Sequence, residues 1–254
     1  MTNNAAATGG VRRPSRSVLS DETHEAIRGM LLDHSIQPGE HINIDALARQ
    51  LDVSQTPVRE ALARLESDGL VVKRALRGYS ATELLTVDQI DDLFQFRALI
   101  EPWSAAQAAE RHSDEDAAAL SAEIETGRGT SKLELTEAYA AMAEHDERFH
   151  KLIARMSGSE FVEEAFIRTH CHLHLFRLYQ AGQAEVRDSP DSEFVDTLFS
   201  AYYEPEGGFL AVREHAAIAD AVLSGQANAA SALMLDHIQS SRRRFSPTLN
   251  AIAS

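Results

Sequence analysis

The 254-residue chain has a single cysteine, Cys171. One thiol excludes an intramolecular disulfide and any cysteine-based zinc finger, and it fits a reducing cytoplasm. Aromatic residues make up only 6%, with one tryptophan. No apolar run reaches the ~18–20 residues of a membrane span, so an integral membrane protein is not expected. The opening MTNNAAATGGVRRPSRSVLS lacks the continuous apolar core of a secretory signal. Residues 1–19 are expected to be a disordered arm, its Arg12, Arg13 and Arg16 either solvated or reaching phosphates. Basic charge is also short, with a formal net charge of −15. The deficit is uneven: residues 1–85 carry 10 Lys/Arg against 11 Asp/Glu, and residues 86–254 carry 14 against 28. A near-neutral front third is compatible with nucleic acid, because affinity follows the local face rather than the total. The 44% apolar and 25% charged content is that of a globular chain with a core, and the length suits one large domain or two ordinary ones.

Residues 20–83 are predicted to form a winged helix-turn-helix. Ser20 precedes a first helix with Ile27, Met30 and Leu31 at helical spacing, and Gln37-Pro38-Gly39 is a turn. Asn43 caps a second helix, IDALARQL, and Asp52-Val53 is a tight connection. Ser54 caps a third, QTPVREALARLESDG, with Pro57 in its first turn and Val58, Ala61, Leu62 and Leu65 on its buried face. Two short extended pieces, LVVKR and YSATEL, flank a tip at Ala75-Leu76-Arg77-Gly78. In this arrangement the third helix enters the major groove by its N-terminal residues, here Ser54, Gln55, Thr56 and Arg59. Arginine pairs bidentately with guanine and glutamine with adenine, while Arg64, Lys73 and Arg77 suit phosphates. Gly78 lets the wing backbone approach the duplex.

The string IQPGEHINIDALARQLDVSQTPVREALARLESDGLV resembles the winged-helix domain of GntR-family transcription regulators. The shared features are a PG turn, an LA-x-x-L-x-VS second helix, a TPVREAL-x-RL recognition helix, G-L-V and a wing glycine. The resemblance implies DNA contact by Ser54, Thr56, Arg59 and the wing around Gly78. Gln55 departs from the arginine common at its position, which bears on base preference.

From Thr86 the pattern is helical nearly throughout. Helices are predicted over about 86–111, 114–127, 134–157, 159–181, 190–203, 208–224 and 226–245, with loops at 181–190 and 202–208, giving an all-α antiparallel bundle over 86–246. Pro102 is a candidate kink. Polar residues interrupt the apolar faces: Asp146 and His150 stand one turn apart beside Met142, Phe149 and Ile153, His215 beside Ile218 and Val222, and His237 beside Leu233. Three histidines and an aspartate on facing helices suit a divalent metal. On spacing alone, Asp146 and His150 are equally a structural hydrogen-bonded pair. His145 is set aside as a ligand because it faces away from the Asp146/His150 edge. Arg97 and Arg177 also fall on apolar stripes and need anionic partners, either a protein carboxylate such as Glu101 or a carboxylate ligand. His170, His172 and His174 lie close by, with His170 and His174 on one face.

D-x-x-F-H, the later E-H-x-x-I-x-x-A, a histidine in the last helix and the opening FRALIEPWSAAQAA resemble the FCD domain of the FadR subgroup of GntR regulators. That resemblance implies one divalent ion on Asp146, His150, His215 and His237, zinc foremost, with nickel, manganese or iron as alternatives. It also implies a small carboxylate effector contacted by Arg97, with Arg177 and His174 as further candidates. Ser159 stands where many relatives have Asn, and the tract 184–208 is long for such a domain. The expected whole is a cytoplasmic homodimeric repressor on a pseudo-palindromic operator. The alternative is a metal-dependent helical-bundle enzyme. HDERFH resembles a metalloprotease helix only superficially, since its histidines are five apart instead of four and no nucleophile constellation accompanies them.

Overall fold

The computed structural model describes residues 16–133, 135–187, 203–204 and 208–252. The chain divides between Glu83 and Leu84 into two compact units.

In the first unit, helix α1 (Arg16–Leu32) begins five residues before Asp21, the expected first helical residue, so Arg16–Leu19 are helical and Ser20 lies inside the helix instead of preceding it; residues 1–15 lie outside the described residues. Helix α2 (Ile44–Gln50) is capped by Asn43, whose Oδ1 accepts from the Ala46 N–H at 3.0 Å. Helix α3 (Gln55–Ser67) buries Val58, Ala61, Leu62 and Leu65 and packs on α1, whose Ile27 and Leu31 are also buried. Strands β2 (Val71–Arg74) and β3 (Gly78–Ala81) form the wing, with Arg74 opposite Gly78. A two-residue strand, β1 (His41–Ile42), adds to the other edge of β3. Two residues are too few for a period-two signal, so this strand was invisible to pattern reading. The wing turn needs a left-handed residue at Gly78, φ +78°, and also places Leu76 at φ +63°.

The second unit is a helical bundle. Helix α4 (Val87–Arg111) opens on a reciprocal cap between Thr86 and Gln89 and runs unbroken through Pro102. Helix α5 (Asp114–Gly129) opens on the same device, Ser113 with Asp116. A 3-10 turn (Thr130–Lys132) leads to α6 (Leu135–Met156). The single helix expected over 159–181 is two, α7 (Glu160–Arg168) and α8 (Cys171–Arg187). They break at Thr169, whose hydroxyl donates to the Phe166 carbonyl at 2.7 Å, and at His170, which sits at φ +45°. Neither glycine nor proline marks this corner.

The helix expected at 190–203 lies outside the described residues. Tyr203–Glu204 (β4), in the predicted loop 202–208, pairs antiparallel with Gly208–Phe209 (β5), where the helix 208–224 was expected to begin. Helices α9 (Leu210–Leu223) and α10 (Ala227–Ile252) complete the bundle, the latter running past the predicted end near 245. Its core joins Ile90, Phe94 and Ala105 of α4, Leu120 of α5, Phe149 and Ile153 of α6, Ile218 and Val222 of α9, and Met234 and Ile238 of α10. Burying each large side chain contributes about 1.5–3 kcal/mol, which fixes helix rotation and hence the direction of the polar side chains among them. Among the described residues no helix is long and apolar enough to cross a membrane.

Candidate metal centre and nucleic-acid interface

The exposed end of α3 carries the expected groove-reading side chains. Ser54, Gln55, Thr56 and Arg59 are all exposed, and the Ser54 hydroxyl makes no cap hydrogen bond. Gln55 is engaged on both sides: its amide donates to Asp45 of α2, and its Oε1 accepts from Arg59 Nη2 at 3.3 Å. This holds the Arg59 guanidinium against Gln55. Arg64 is exposed but paired with Asp21 of α1 at 2.6 Å. Arg77 and Gly78 are exposed at the wing turn, and Lys73 lies over the Tyr79 ring at 5.5 Å.

In the second unit, α6 projects Asp146 and His150, α9 projects His215, and α10 projects His237. One ligand atom from each lies within 4.8 Å of all the others. The three imidazoles are buried and Asp146 is partly exposed. His150 Nε2 is 3.1 Å from His237 Nε2, and His215 Nε2 is 3.3 Å from His237 Nε2. Asp146 Oδ1 is 3.3 Å from His215 Nε2 and 3.9 Å from His150 Nε2. A tetrahedral site with metal–ligand distances of ~2.0–2.1 Å has edges of about 3.3 Å, so the donor spacing fits a small divalent ion.

Protonation strengthens the argument. His237 Nδ1 lies 2.7 Å from Glu214 Oε2, so the proton of a neutral ring sits there. His150 Nε2 lies 3.3 Å from Arg97 Nη2, which can only donate, so its lone pair is on Nε2 and the proton of a neutral ring is on Nδ1, 2.5 Å from Glu101 Oε2. His215 Nδ1 lies 3.0 Å from His145 Nε2, and His145 Nδ1 lies 2.8 Å from Glu123 Oε1. Because Glu123 accepts from His145 Nδ1, His145 Nε2 is an acceptor and His215 Nδ1 must donate to it. All three Nε2 atoms therefore carry lone pairs, turned toward one another and toward a carboxylate oxygen. Burial pushes the pKa of His215 well below its ordinary value, reinforced by the charges His237 and His150 would carry. It also lowers His237, against the opposing pull of Glu214. Neutral rings with converging lone pairs repel one another without a cation; with one they are its ligands.

The supporting carboxylates stay ionised. Burial raises the Glu101 pKa, but the Arg97 charge and the contacts with His150 outweigh it and hold the group at about 2. Glu214 is likewise at about 2, burial being outweighed by hydrogen bonds from His237 and Arg244. A further histidine, His172, places Nε2 3.1 Å from Asp146 Oδ2, with its Nδ1 3.2 Å from Cys171 Sγ. Burial pushes the Cys171 thiol up to about 12, which leaves it an inert neighbour.

Arg97 lies beside this centre, fully buried. Its Nε donates to Glu101 Oε1 at 2.5 Å and its Nη2 lies 3.3 Å from His150 Nε2, while Nη1 has no hydrogen-bond partner among the described residues. Burial lowers its pKa, but Glu101 more than compensates and keeps the guanidinium charged. Arg177 is also buried, one turn from His174 on α8. Burial, then the charges of Arg177 and His170, press His174 down to about 4. A cavity of about 550 Å³ between α9 and α10 reaches His237 and Glu214, with Arg213 and Arg243 on its walls.

Pattern reading missed the supporting groups. Glu101 was visible only as a partner for Arg97, and Glu214 only as the neighbour of His215. His172 enters because the corner at His170 resets the rotation of α8. His145, set aside for facing away from Asp146, turns out to face the back of His215. Only the tertiary placement of α6 beside α9 reveals that.

Residues 92–240 match the FCD domain family, and residues 19–80 match the bacterial regulatory proteins of the gntR family. The chain is 33% identical over 131 residues to the Nta operon transcriptional regulator of Aminobacter aminovorans, covering 52% of this chain and 60% of that one. It is 27% identical over 225 residues to the HTH-type transcriptional regulator LutR of Bacillus subtilis, covering 82% and 93%. The fold is similar to that of E. coli McbR/YncC, with a TM-score of 0.59 at 19% identity over 89% of this chain and 95% of that one.

Proposed function

The chain belongs to the GntR family of bacterial transcription regulators, with an FCD domain behind its winged helix, and from that premise we propose that it is a metal-containing repressor released or engaged by a small carboxylate. It is a DNA-binding regulator and not an enzyme, so the alternative of a metal-dependent helical-bundle enzyme is set aside.

Ser54, Gln55, Thr56 and Arg59 read base edges, and Arg77 and Gly78 lead the wing. Arg64 joins them by exchanging Asp21 for a phosphate. One such helix contacts too few bases for specificity, so the working unit is a homodimer on a pseudo-palindromic operator in the cytoplasm.

Asp146, His150, His215 and His237 hold one divalent cation, zinc foremost, with nickel, manganese or iron as alternatives. When bound, the cation supplies positive charge and a coordination position for an oxygen of the effector. The observation that carries the reading is Arg97. Its guanidinium is buried, and among the described residues its one carboxylate partner is Glu101 and its Nη1 is left without an acceptor, beside four donor atoms whose lone pairs converge. A buried N–H without an acceptor costs about 1–3 kcal/mol. A ligand carboxylate would satisfy it. Arg177 and His174, on α8, are the further candidate contacts. The effector acts only through its different affinity for the two placements of the dimer's DNA-binding units.

Metal analysis of the purified protein, mass spectrometry of any copurified acid and electrophoretic shift with DNA beside its own gene test the proposal together. The expected result is about one divalent ion per chain, lost in His237→Ala, and a shift that candidate carboxylates alter in wild type but not in Arg97→Met. Absence of stoichiometric metal, or a shift indifferent to every carboxylate tried, would overturn it.

A further inference from the structure

His145 lies one residue before Asp146 and is completely buried, yet it is not one of the four converging donors. Two of those histidines, His150 and His237, meet a carboxylate directly through Nδ1. His215 does not. Its Nδ1 meets His145 Nε2 at 3.0 Å, and only beyond that ring does a carboxylate, Glu123 of α5, stand 2.8 Å from Nδ1. Glu123 is held in turn by Arg148 Nε at 3.0 Å on its other oxygen. The fold makes room for this ring. A Cβ on Gly127 of α5 would fall 2.5–2.8 Å from three of its atoms, too close for both to stay in place.

We propose that His145 is a positioning residue of the metal centre: backed by Glu123 and admitted by Gly127, it locks His215 into the Nδ1–H form and so presents the Nε2 lone pair. This rests on the metal reading above. A neutral imidazole has one N–H for two nitrogens. Glu123 accepts only, so His145 has its proton on Nδ1 and offers a lone pair from Nε2. His215 can meet that lone pair only by donating from Nδ1. Without the acceptor, its proton is free to occupy Nε2, the atom needed by the cation. Loss of such an orienting partner typically weakens metal affinity by about 10–100-fold.

The test uses the full-length protein stripped by chelator and titrated with Zn²⁺ against a chromophoric competitor, with a metal-free thermal melt to confirm folding. His145→Phe fills the space but removes the acceptor, and is expected to bind about 10–100-fold more weakly. Gly127→Ala, which displaces the ring while leaving every donor intact, is expected to move in the same direction and carries the test if the phenylalanine variant fails to fold. His145→Gln retains both an acceptor and a donor, and is expected to recover most of the affinity. Nitrogen-15 shifts of the His215 ring in the metal-free protein give a second readout: Nδ1–H in wild type and in the glutamine variant, a mixture in the phenylalanine or alanine variant. Wild-type affinity in a folded phenylalanine or alanine variant, or a loss with the His215 tautomer unchanged and no recovery by glutamine, would overturn this inference and leave the metal reading intact. A wild-type protein that takes up no Zn²⁺ would remove both.

Discussion

Replacing Glu101 with glutamine tests the polar centre at its most buried charge. Glu101 is 3% exposed and serves Arg97 with one oxygen and His150 with the other. Its carboxyl is held at about 2 against an ordinary 4.5. At about 1.4 kcal/mol per pKa unit, that depression corresponds to roughly 3 kcal/mol of stability at neutral pH. An independent route gives a similar figure, since removing one member of a buried ion pair typically costs about 3–5 kcal/mol. The expected loss for Glu101→Gln is therefore about 3 kcal/mol at pH 7. The sign follows from the depressed carboxyl: its contribution is fully present above pH 4.5 and disappears as pH falls toward 2, so the gap between wild type and variant should close on acidification. Urea titration followed by tryptophan emission isolates the relevant unit, because the one tryptophan, Trp103, sits on the same helix two residues away. A loss under about 1 kcal/mol at pH 7, or a gap indifferent to acid, would refute the reasoning. Substituting Arg97 and Glu101 together by methionine should recover part of the loss, since no uncompensated charge then remains.

Three further outcomes are expected. Arg59→Ala should cost about 1–3 kcal/mol on a specific operator and much less on unrelated DNA; equal losses in a shift assay would make Arg59 a phosphate contact instead. His174→Phe should flatten the acid side of the stability profile. Its depressed pKa of about 4 means the unfolded chain takes up a proton first as pH drops below 6.5, costing wild type up to about 1.4 kcal/mol per pH unit between 6.5 and 4; a denaturation series at pH 7, 6 and 5 that shows parallel wild-type and variant curves would argue otherwise. Removing metal by chelation should lower the melting transition of the C-terminal unit, and readdition at a hundred times Kd should restore about 2.7 kcal/mol; calorimetry of His237→Ala should show no response to either.

Much of the architecture could be read from residue patterns because the physics there is local. The cap at Asn43 and the buried stripe of α3 depend on a few neighbouring residues. Asp146, His150, His215 and His237 could be named because each breaks an apolar helical face, and the structure does bring them together. What stayed hidden depends on tertiary contact. Glu123 and His145 are charged or polar residues on helices rich in both, and nothing in their spacing says that one leans on the other behind His215. The role of Gln55 as a link between Asp45 and Arg59 also needs α2 and α3 in place.

The corner at His170 has a bearing on how this protein can change over time. A non-glycine residue at φ +45° is held there against a cost of about 1–3 kcal/mol, and the next two positions deliver Cys171 and His172 to the interior. Each residue of a helix advances it by about 100°. An insertion or deletion at this hinge would swing His172 away from Asp146 and bring another side chain of α8 into its place. Point substitutions along α8 leave that phase untouched. Drift in this stretch should therefore favour exchange of residues over change of length.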